Sequence, residues 1–266
     1  MNIEIINTAF SIPDEAYVDQ RVPKKMLLEQ DIPTSADKRH IREGVDEIRW
    51  IAALKPNNIG IPEYKDDLRN YSEISILTMK LRQIAKHSRL VELTHRMIPY
   101  PLVLISIHGK QASLSLAHKR WSQNEAGKVV VDRVHCIGFD DFDISEETSV
   151  TFLNSLAISK QPSTSLFSVY QGWLDCIAAF EAAKITGKFT LPISGKRSKE
   201  LRKALDTFEQ LNKNIETLKS EAKREKQVNR RVELNLKLKQ LQAELADNKD
   251  RIGGNKTKGE EPKANY

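Results

Sequence analysis

The chain has 266 residues, of which 39% are hydrophobic and 29% are charged, and its net charge at neutral pH is +6. This composition excludes a wholly disordered chain, and the lack of both an apolar run of roughly 18 residues and a secretion signal argues against a membrane or exported protein. Two cysteines, Cys136 and Cys176, are too few for a disulfide framework or a zinc site, so we expect a reduced, cytoplasmic protein without a metal cofactor.

Residues 1–139 alternate between helical and strand patterns, which is typical of an α+β domain. The predicted elements are an opening helix that ends before Pro13, a loop over 18–33, a helix from Thr34 or Ser35 to about Glu47, strands over 48–54, 59–61 and 72–81, a helix over 90–97, and strands over 102–107, 112–117 and 128–136. The strand over 72–81 carries apolar side chains on both faces, so we expect it at the centre of a mixed sheet.

Residues 140–195 are predicted to form a linker followed by packing helices. Acidic side chains dominate residues 140–149, where apolar side chains are few. Helices are expected over 150–158 and 166–185, and the second should pack against the first domain because its apolar side chains recur every three or four residues. Gly187 and Pro192 end this helix.

Residues 196–251 carry apolar side chains in the seven-residue pattern of a coiled coil, after a predicted helix cap at Ser198. The pattern runs through Leu201, Leu205, Phe208, Leu211, Ile215, Leu218 and Ala222, lapses over 223–231, and resumes at Leu234, Leu238, Leu241 and Leu245. Two structures are compatible with this apolar pattern: one long continuous helix, or two helices paired as an antiparallel hairpin. In both, we expect another molecule to cover the apolar stripe, because an isolated amphipathic helix leaves its leucines in water. Residues 252–266 are predicted to be disordered.

The basic charge is concentrated near the end of the chain. Residues 191–266 hold 19 Lys and Arg against 12 Asp and Glu, whereas residues 1–190 hold 23 against 24. A basic segment attached to a near-neutral domain is typical of nucleic-acid contact or of docking on an acidic partner. Interleaved Lys and Glu are also typical of an ordinary solvated helix, so both interpretations stay open.

Basic side chains at several places are candidates for contact with a nucleic-acid backbone. They are Lys24, Lys25, Lys55, His118, Lys119 and Arg120 in the first domain, and Lys223, Arg224, Lys226, Arg230 and Arg231 in the helical region. Those of the first domain would make one basic patch if the fold brought them together. The alternative for residues 118–120 is a charged strand end beside the half-buried Trp121.

The order of helices and strands resembles the restriction-endonuclease core, in which acidic groups hold Mg²⁺ and a lysine positions water. The candidate acidic residues are Asp66, Asp67 and Glu73, but Ser75 stands where a Glu-x-Lys motif needs lysine. A non-cutting version of such a core is therefore favoured over an active nuclease. The sequence has no phosphate-binding loop, dinucleotide motif or serine nucleophile elbow, so we expect no cofactor.

Five short motifs together resemble one family. They are Val22-Pro23-Lys24-Lys25, then Ile48-Arg49-Trp50 with Leu54-Lys55-Pro56, then Tyr71-Ser72-Glu73-Ile74, then His95-Arg96-Met97-Ile98-Pro99-Tyr100-Pro101, then Leu114-Ser115-Leu116-Ala117-His118-Lys119-Arg120. The chain resembles, over most of its length, the uncharacterised bacterial family known as domain of unknown function 4391. The resemblance implies an accessory protein encoded beside helicases, adenine-specific DNA methyltransferases and type III-like restriction subunits in phage-defence clusters. It supplies no catalytic residues.

We therefore expect a non-catalytic accessory subunit of a bacterial antiphage-defence assembly. The α+β domain would dock on a helicase or DNA methyltransferase partner, and the helical region would self-associate or capture a partner helix while its basic residues contact the DNA backbone. The alternatives are a divergent Mg²⁺-dependent nuclease and a coiled-coil scaffold with no nucleic-acid role.

Overall fold

The computed structural model describes residues 8–29, 34–123, 129–141 and 146–254. The chain divides into two compact units, residues 1–177 and 178–266, whereas the sequence suggested boundaries at residues 139 and 195. The first unit contains a mixed six-stranded sheet and the second is helical, so the predicted α+β class is confirmed. Parts of the predicted acidic linker (142–145) and of the predicted disordered tail (255–266) lie outside the described residues.

Helices occur in both units, and none of those described is both long enough and apolar enough to cross a membrane. They are α1 (described over residues 8–10), α2 (Lys24–Leu28), α3 (Ser35–Gly44), α4 (Pro56–Ile59), α5 (His87–Met97), α6 (Glu147–Ser155), α7 (Leu166–Thr186), α8 (Gly195–Arg224) and α9 (Val228–Gly253). Helix α7 contains the boundary between the two units.

All of the described strands belong to the first unit. They are β1 (Tyr17–Arg21), β2 (Val45–Leu54), β3 (Tyr64–Lys65), β4 (Asn70–Tyr71), β5 (Ile74–Leu81), β6 (Leu102–His108), β7 (Gln111–Ala117), β8 (Lys119–Trp121), β9 (Val129–Val131) and β10 (His135–Ile137). Six of them form a sheet of order β1-β2-β5-β6-β7-β10, while β3 pairs with β4 and β8 with β9.

Strand β5 lies inside the large sheet, and seven of its eight residues are buried, which confirms its predicted central position. It runs parallel to β6, to which helix α5 connects it, and antiparallel to β2. The register places Leu54 opposite Ile74, and Leu102 opposite Ala117. The end of β2, the beginnings of β5 and β6 and the end of β7 therefore share one end of the sheet, here called the Leu54 end.

Helices α3 and α5 pack against the sheet side chains Leu77 and Met79. Thr34 caps α3, as predicted, because its hydroxyl oxygen accepts a hydrogen bond from the Asp37 backbone at 3.1 Å. The Asp37 carboxylate then accepts two hydrogen bonds from the Arg89 guanidinium on α5, each 2.8 Å long. These bonds hold the pKa of Asp37 at about 2 and fix one helix to the other.

Some local predictions are wrong in the first unit. Residues 59–61 do not form a strand, because Pro56–Ile59 is one helical turn that ends at Gly60 with a left-handed φ of 68°. Helix α3 ends at Gly44 rather than near Glu47, since β2 already begins at the next residue.

Two further ranges also differ from the prediction. The predicted loop over 18–33 contains β1 and α2. The predicted last strand over 128–136 is replaced by the short strands β9 and β10, which belong to different sheets.

In the second unit, the apolar stripe is shared between α8 and α9, which are separated at residues 225–227 and pack against each other. We call this pair of helices the arm. The apolar side chains of the arm form two clusters. One contains Leu201, Leu205 and Ile252 and also contacts the end of α7, and the other contains Ile215 and Leu238. The expectation that another molecule must cover this stripe is therefore wrong, because each helix covers the other.

The arm is closed at the end away from residues 225–227. Helix α8 begins after Ser194, one turn earlier than the predicted cap at Ser198, and the Ser194 hydroxyl accepts a hydrogen bond from the Arg197 backbone at 3.2 Å. The Arg197 guanidinium donates to the backbone carbonyls of Arg251 and Ile252, each at 2.9 Å. A cation therefore neutralises the negative end of the α9 dipole and ties the start of α8 to the end of α9.

Candidate nucleic-acid interface

The candidate cations of the first unit do not form one patch. Lys24 lies at the start of β2, where its ammonium donates to the Val45 carbonyl at 2.8 Å, and Lys55 follows the end of the same strand. Strand β2 has ten residues and so spans about 30 Å. Lys25, beside Lys24, is exposed and pairs with Glu29 at 3.5 Å.

Lys55 and Glu73 meet at the Leu54 end of the sheet. The Lys55 ammonium lies 3.2 Å from the Glu73 carboxylate, and the Ser75 hydroxyl donates to the other oxygen of that carboxylate at 3.3 Å. Glu73 is only 8% exposed, so this pair holds a carboxylate that would otherwise be buried without a counter-charge. Lys55 is therefore already neutralised within the domain.

The other two acidic candidates lie on the turn between β3 and β4. Asp66 accepts hydrogen bonds from the Tyr64 hydroxyl at 2.7 Å and from the backbones of Leu68 and Arg69, and the Tyr64 bond is the main cause of its lowered pKa. Asp67 is exposed. Among the described residues, no group of three or more His, Cys, Asp or Glu is placed to hold a metal ion. Asp66 thus shapes a turn rather than joining Glu73 in a metal site.

His118 belongs to a cluster of aromatic side chains. Its ring stacks on Phe167 with ring centres 5.3 Å apart, and its Nε2 donates to the Gln171 side-chain oxygen at 3.0 Å. Its Nδ1 is then left to accept from the Tyr71 hydroxyl at 2.5 Å. Both ring nitrogens are engaged, so His118 connects the Leu54 end of the sheet to α7 instead of facing a phosphate.

Lys119 is buried, with 4% of its surface exposed, and its ammonium donates to the Ile98 carbonyl. Burial lowers the pKa of Lys119 to about 7. Together with burial, the charge on Lys119 lowers the pKa of the fully buried His95, whose Nε2 lies 3.1 Å from the Ser115 hydroxyl. Lys119 is therefore a core residue and is not presented to a ligand.

Arg120 remains partly exposed but has a partner. Its guanidinium lies 3.2 Å from Asp132, and Arg69 lies 4.0 Å from the same carboxylate. Of the candidates at residues 118–120, none is both exposed and without a partner among the described residues.

The candidates of the second unit are close together where α8 gives way to α9. Residues 223–231, here called the arm tip, contain five cations and one carboxylate, whereas residues 232–253 contain four of each. Arg230 pairs with Glu225 at 3.4 Å. The other four cations, Lys223, Arg224, Lys226 and Arg231, are exposed and form no ion pair within the described part of the chain.

The start of α9 adds backbone hydrogen-bond donors to this cluster. Gln227 precedes the helix without capping it by a side-chain hydrogen bond, and its own backbone N–H donates to the Glu225 carboxylate at 2.8 Å. The first turn itself holds no acidic residue. Arg230 and Arg231 occupy that turn instead, where the interaction of each cation with the helix dipole destabilises the helix by about 0.3–1 kcal/mol. These residues do not stabilise α9, whereas an uncapped helix start surrounded by cations is suited to binding an anion.

A second feature of α9 was missed in the sequence. Val228, Val232 and Leu236 are 63%, 52% and 57% exposed, respectively. Their four-residue spacing was visible in the sequence, but it begins within the range where the main apolar pattern lapses, and only that main pattern was followed.

Comparison with known proteins gives a family and no further match. The family model described as Domain of unknown function (DUF4391) matches residues 10–245, which confirms the resemblance. No curated protein and no solved structure matches the chain.

The buried Lys119 predicts an unusual dependence of stability on pH. Its folded-state pKa of about 7 is below its ordinary value of 10.5, so between these values the unfolded chain holds a proton that the folded chain does not. The free energy of unfolding should therefore rise from pH 7 to pH 9, by about 2 kcal/mol from this group. Urea unfolding at several pH values measures this rise.

Lys119→Met keeps the aliphatic stem and should abolish most of this rise, while being more stable than the parent at pH 7. Lys110→Met, at an exposed position in the turn before β7, is the matched control and should keep the rise. An unchanged pH dependence in Lys119→Met would contradict the assignment.

Proposed function

Because the chain belongs to the family described as Domain of unknown function (DUF4391), whose description names no activity, we propose a function from the geometry of the chain and from the gene setting that the resemblance implies. The protein is a non-catalytic accessory subunit of a bacterial antiphage-defence assembly, and its arm tip contacts the phosphate backbone of duplex DNA. The assembly is proposed from the gene setting that the family resemblance implies, and its cytoplasmic location is proposed from the sequence features described above, including the two cysteines. The DNA contact is proposed from the arm.

The DNA contact is inferred from one observation, the excess positive charge of the arm tip. Four exposed cations there form no ion pair with any carboxylate in the described residues, while Lys196, Lys213 and Lys219 on α8 each pair with a glutamate on the same helix. Exposed, flexible cations without partners are the groups that displace counterions from DNA. Phosphate oxygens would also accept hydrogen bonds from the uncapped start of α9.

The α+β domain is the part of the chain that we propose docks on a partner subunit. A helicase or DNA methyltransferase subunit is the proposed partner, again from the gene setting. The arm is built from helices that stabilise each other, so it does not need that partner in order to fold. It can therefore present the tip to DNA while the α+β domain is engaged.

DNA binding through the arm tip predicts a strong dependence on salt. Affinity for a duplex of arbitrary sequence should fall between about 50 and 200 mM salt, with a log–log slope near −0.9 for each phosphate contacted. Replacing Lys223, Arg224, Lys226 and Arg231 together with Gln should reduce the magnitude of that slope by about 3 to 4. Fluorescence anisotropy with a labelled duplex measures both quantities.

The matched control removes the same charge from exposed positions elsewhere on the arm, by changing Lys199, Lys203, Lys237 and Lys239 to Gln. This control should lower the slope by less than half as much as the tip variant. Equal effects in the two variants, or no salt dependence in the parent, would contradict binding at the tip.

A nuclease is the alternative function, and one contact favours it. Lys55 places its ammonium 3.2 Å from Glu73, so the residue after β2 supplies the lysine that Glu73-Ile74-Ser75 lacks. The described residues nevertheless gather no group of three metal-binding side chains, so they do not fit a Mg²⁺ site as they stand. We derive no catalytic step from them.

Cleavage assays with the full chain separate these two functions. The accessory-subunit proposal expects no Mg²⁺-dependent cleavage of duplex DNA by the parent protein. The alternative expects cleavage that Glu73→Gln abolishes and that Glu63→Gln, at an exposed position nearby, leaves intact. Cleavage with that pattern would replace the first proposal.

A further inference from the structure

Helix α9 has a second apolar face near the arm tip, formed by Val228, Val232 and Leu236. We call these three residues the outer stripe. They are four residues apart, so they follow one side of the helix over about 12 Å. All three are more than half exposed.

The outer stripe faces away from the interior of the arm. Leu234 and Leu238, which pack against α8, come two residues after Val232 and Leu236, respectively, and so lie about 200° around the helix from them. The arm would fold equally well with polar residues in the outer stripe, because its core does not use them. Three branched aliphatic side chains in one exposed row are therefore unexplained by the folding of the arm.

Positive charge borders one side of the outer stripe. Arg231 lies three residues after Val228, and Lys239 lies three residues after Leu236, so both are neighbours of the stripe on the same side. Glu233 is the single carboxylate near the other side, and the adjoining arm tip is strongly basic. A surface that fits this stripe combines apolar side chains with carboxylates.

A second copy of this chain is a poor occupant. The surface area offered by three side chains along 12 Å is far smaller than the roughly 800 Å² per partner that a stable dimer buries. Two copies placed stripe to stripe would also bring two basic arm tips together, and like charges repel. An acidic occupant instead gains ion pairs with Arg231 and Lys239 around the apolar contact.

We propose that the outer stripe docks an acidic amphipathic helix of a partner protein. Its apolar side chains, three or four residues apart, pack on Val228, Val232 and Leu236, and its Asp or Glu side chains pair with Arg231 and Lys239. This proposal specifies the chemistry of the partner in the proposed function, and it rests on that function. The contact is small, so we expect an isolated helix to bind weakly and other contacts of the partner to add to its affinity.

Synthetic helical peptides of three heptads test this docking directly. One peptide carries leucine in the apolar seam and glutamate beside it, and a second has lysine in place of each glutamate. We expect the acidic peptide to bind the full chain at least 10-fold more tightly than the basic peptide, measured by anisotropy of a dye on the peptide. Equal binding of the two peptides would overturn the proposal.

Changing Val228, Val232 and Leu236 together to Gln tests the contact from the other side. Gln favours helix more than Val does, so α9 should keep its structure, which circular dichroism checks. The variant should lose at least 10-fold in affinity for the acidic peptide. Changing Thr207, Thr217 and Ser220 to Gln on exposed positions of α8 is the matched control and should bind as the parent does. Unchanged binding by the outer-stripe variant would overturn the proposal.

Two further measurements separate this site from its rivals. Sedimentation of the parent and the outer-stripe variant shows whether the stripe holds two copies together, and a dimer that the variant breaks would overturn the proposal. The variant removes no charge, so its DNA affinity and salt slope should match those of the parent. A reduced DNA affinity would assign the stripe to the DNA surface instead. Since the DNA contact is tested by the tip cations, failure of either proposal is distinguishable from failure of the other.

Discussion

The pairing of α8 with α9 is the interaction on which the rest of the second unit depends. Leucine and isoleucine side chains on one side of each helix are removed from water by the other helix, which supplies the stabilisation that neither helix has alone. This pairing requires the chain to reverse direction where the apolar pattern lapses. The residues that cannot join the core are therefore collected at the reversal, and these are the basic residues of the arm tip.

The same constraint explains why charge remains unbalanced there. Along α8, a glutamate one turn away can pair with a lysine, as Glu209 does with Lys213. At the reversal the helical spacing is interrupted, so Arg230 pairs with Glu225 while four neighbouring cations have no carboxylate partner in the part of the chain that the structure describes. A surface of this kind is disfavoured for folding and favourable for a polyanion or an acidic protein, which is why the proposals on DNA and on an acidic helix both concern this part of the molecule.

In the first unit, by contrast, the candidate cations are paired within the domain. At the Leu54 end of the sheet, Lys55, His118 and Lys119 are each taken up by a partner inside the domain. Burial of Lys119 requires its hydrogen bond to the Ile98 carbonyl, and burial of Glu73 requires the Lys55 ammonium, because an unpaired buried charge is strongly destabilising. His118 joins the Leu54 end of the sheet to helix α7, so the chemistry of this region is that of a packed interior.

Much of the fold could be predicted from the sequence because the spacing of apolar side chains indicates which residues are buried. The central position of β5 followed from its two apolar faces, and a cap at Thr34 or Ser35 followed from a hydroxyl before a helical pattern, of which the structure uses Thr34. Residues 59–61 were mistaken for a strand because Ile59 and Ile61 alternate, whereas Gly60 and the Asn58 side chain set a helical turn that ends there. The burial of Lys119 could not be predicted, because it depends on the Ile98 carbonyl, which is distant in sequence and is brought close only by the fold. The outer stripe was missed because only one apolar pattern was followed in a helix that has two.

The most direct test of this account is hydrogen exchange of the arm in the full chain, measured at low and at high protein concentration. If α8 and α9 cover each other, amides in residues 201–222 and 234–252 are protected to the same extent at both concentrations, while residues 225–227 exchange rapidly. Protection of the arm that appears only at high concentration would show that another molecule covers the apolar stripe, and would contradict the account.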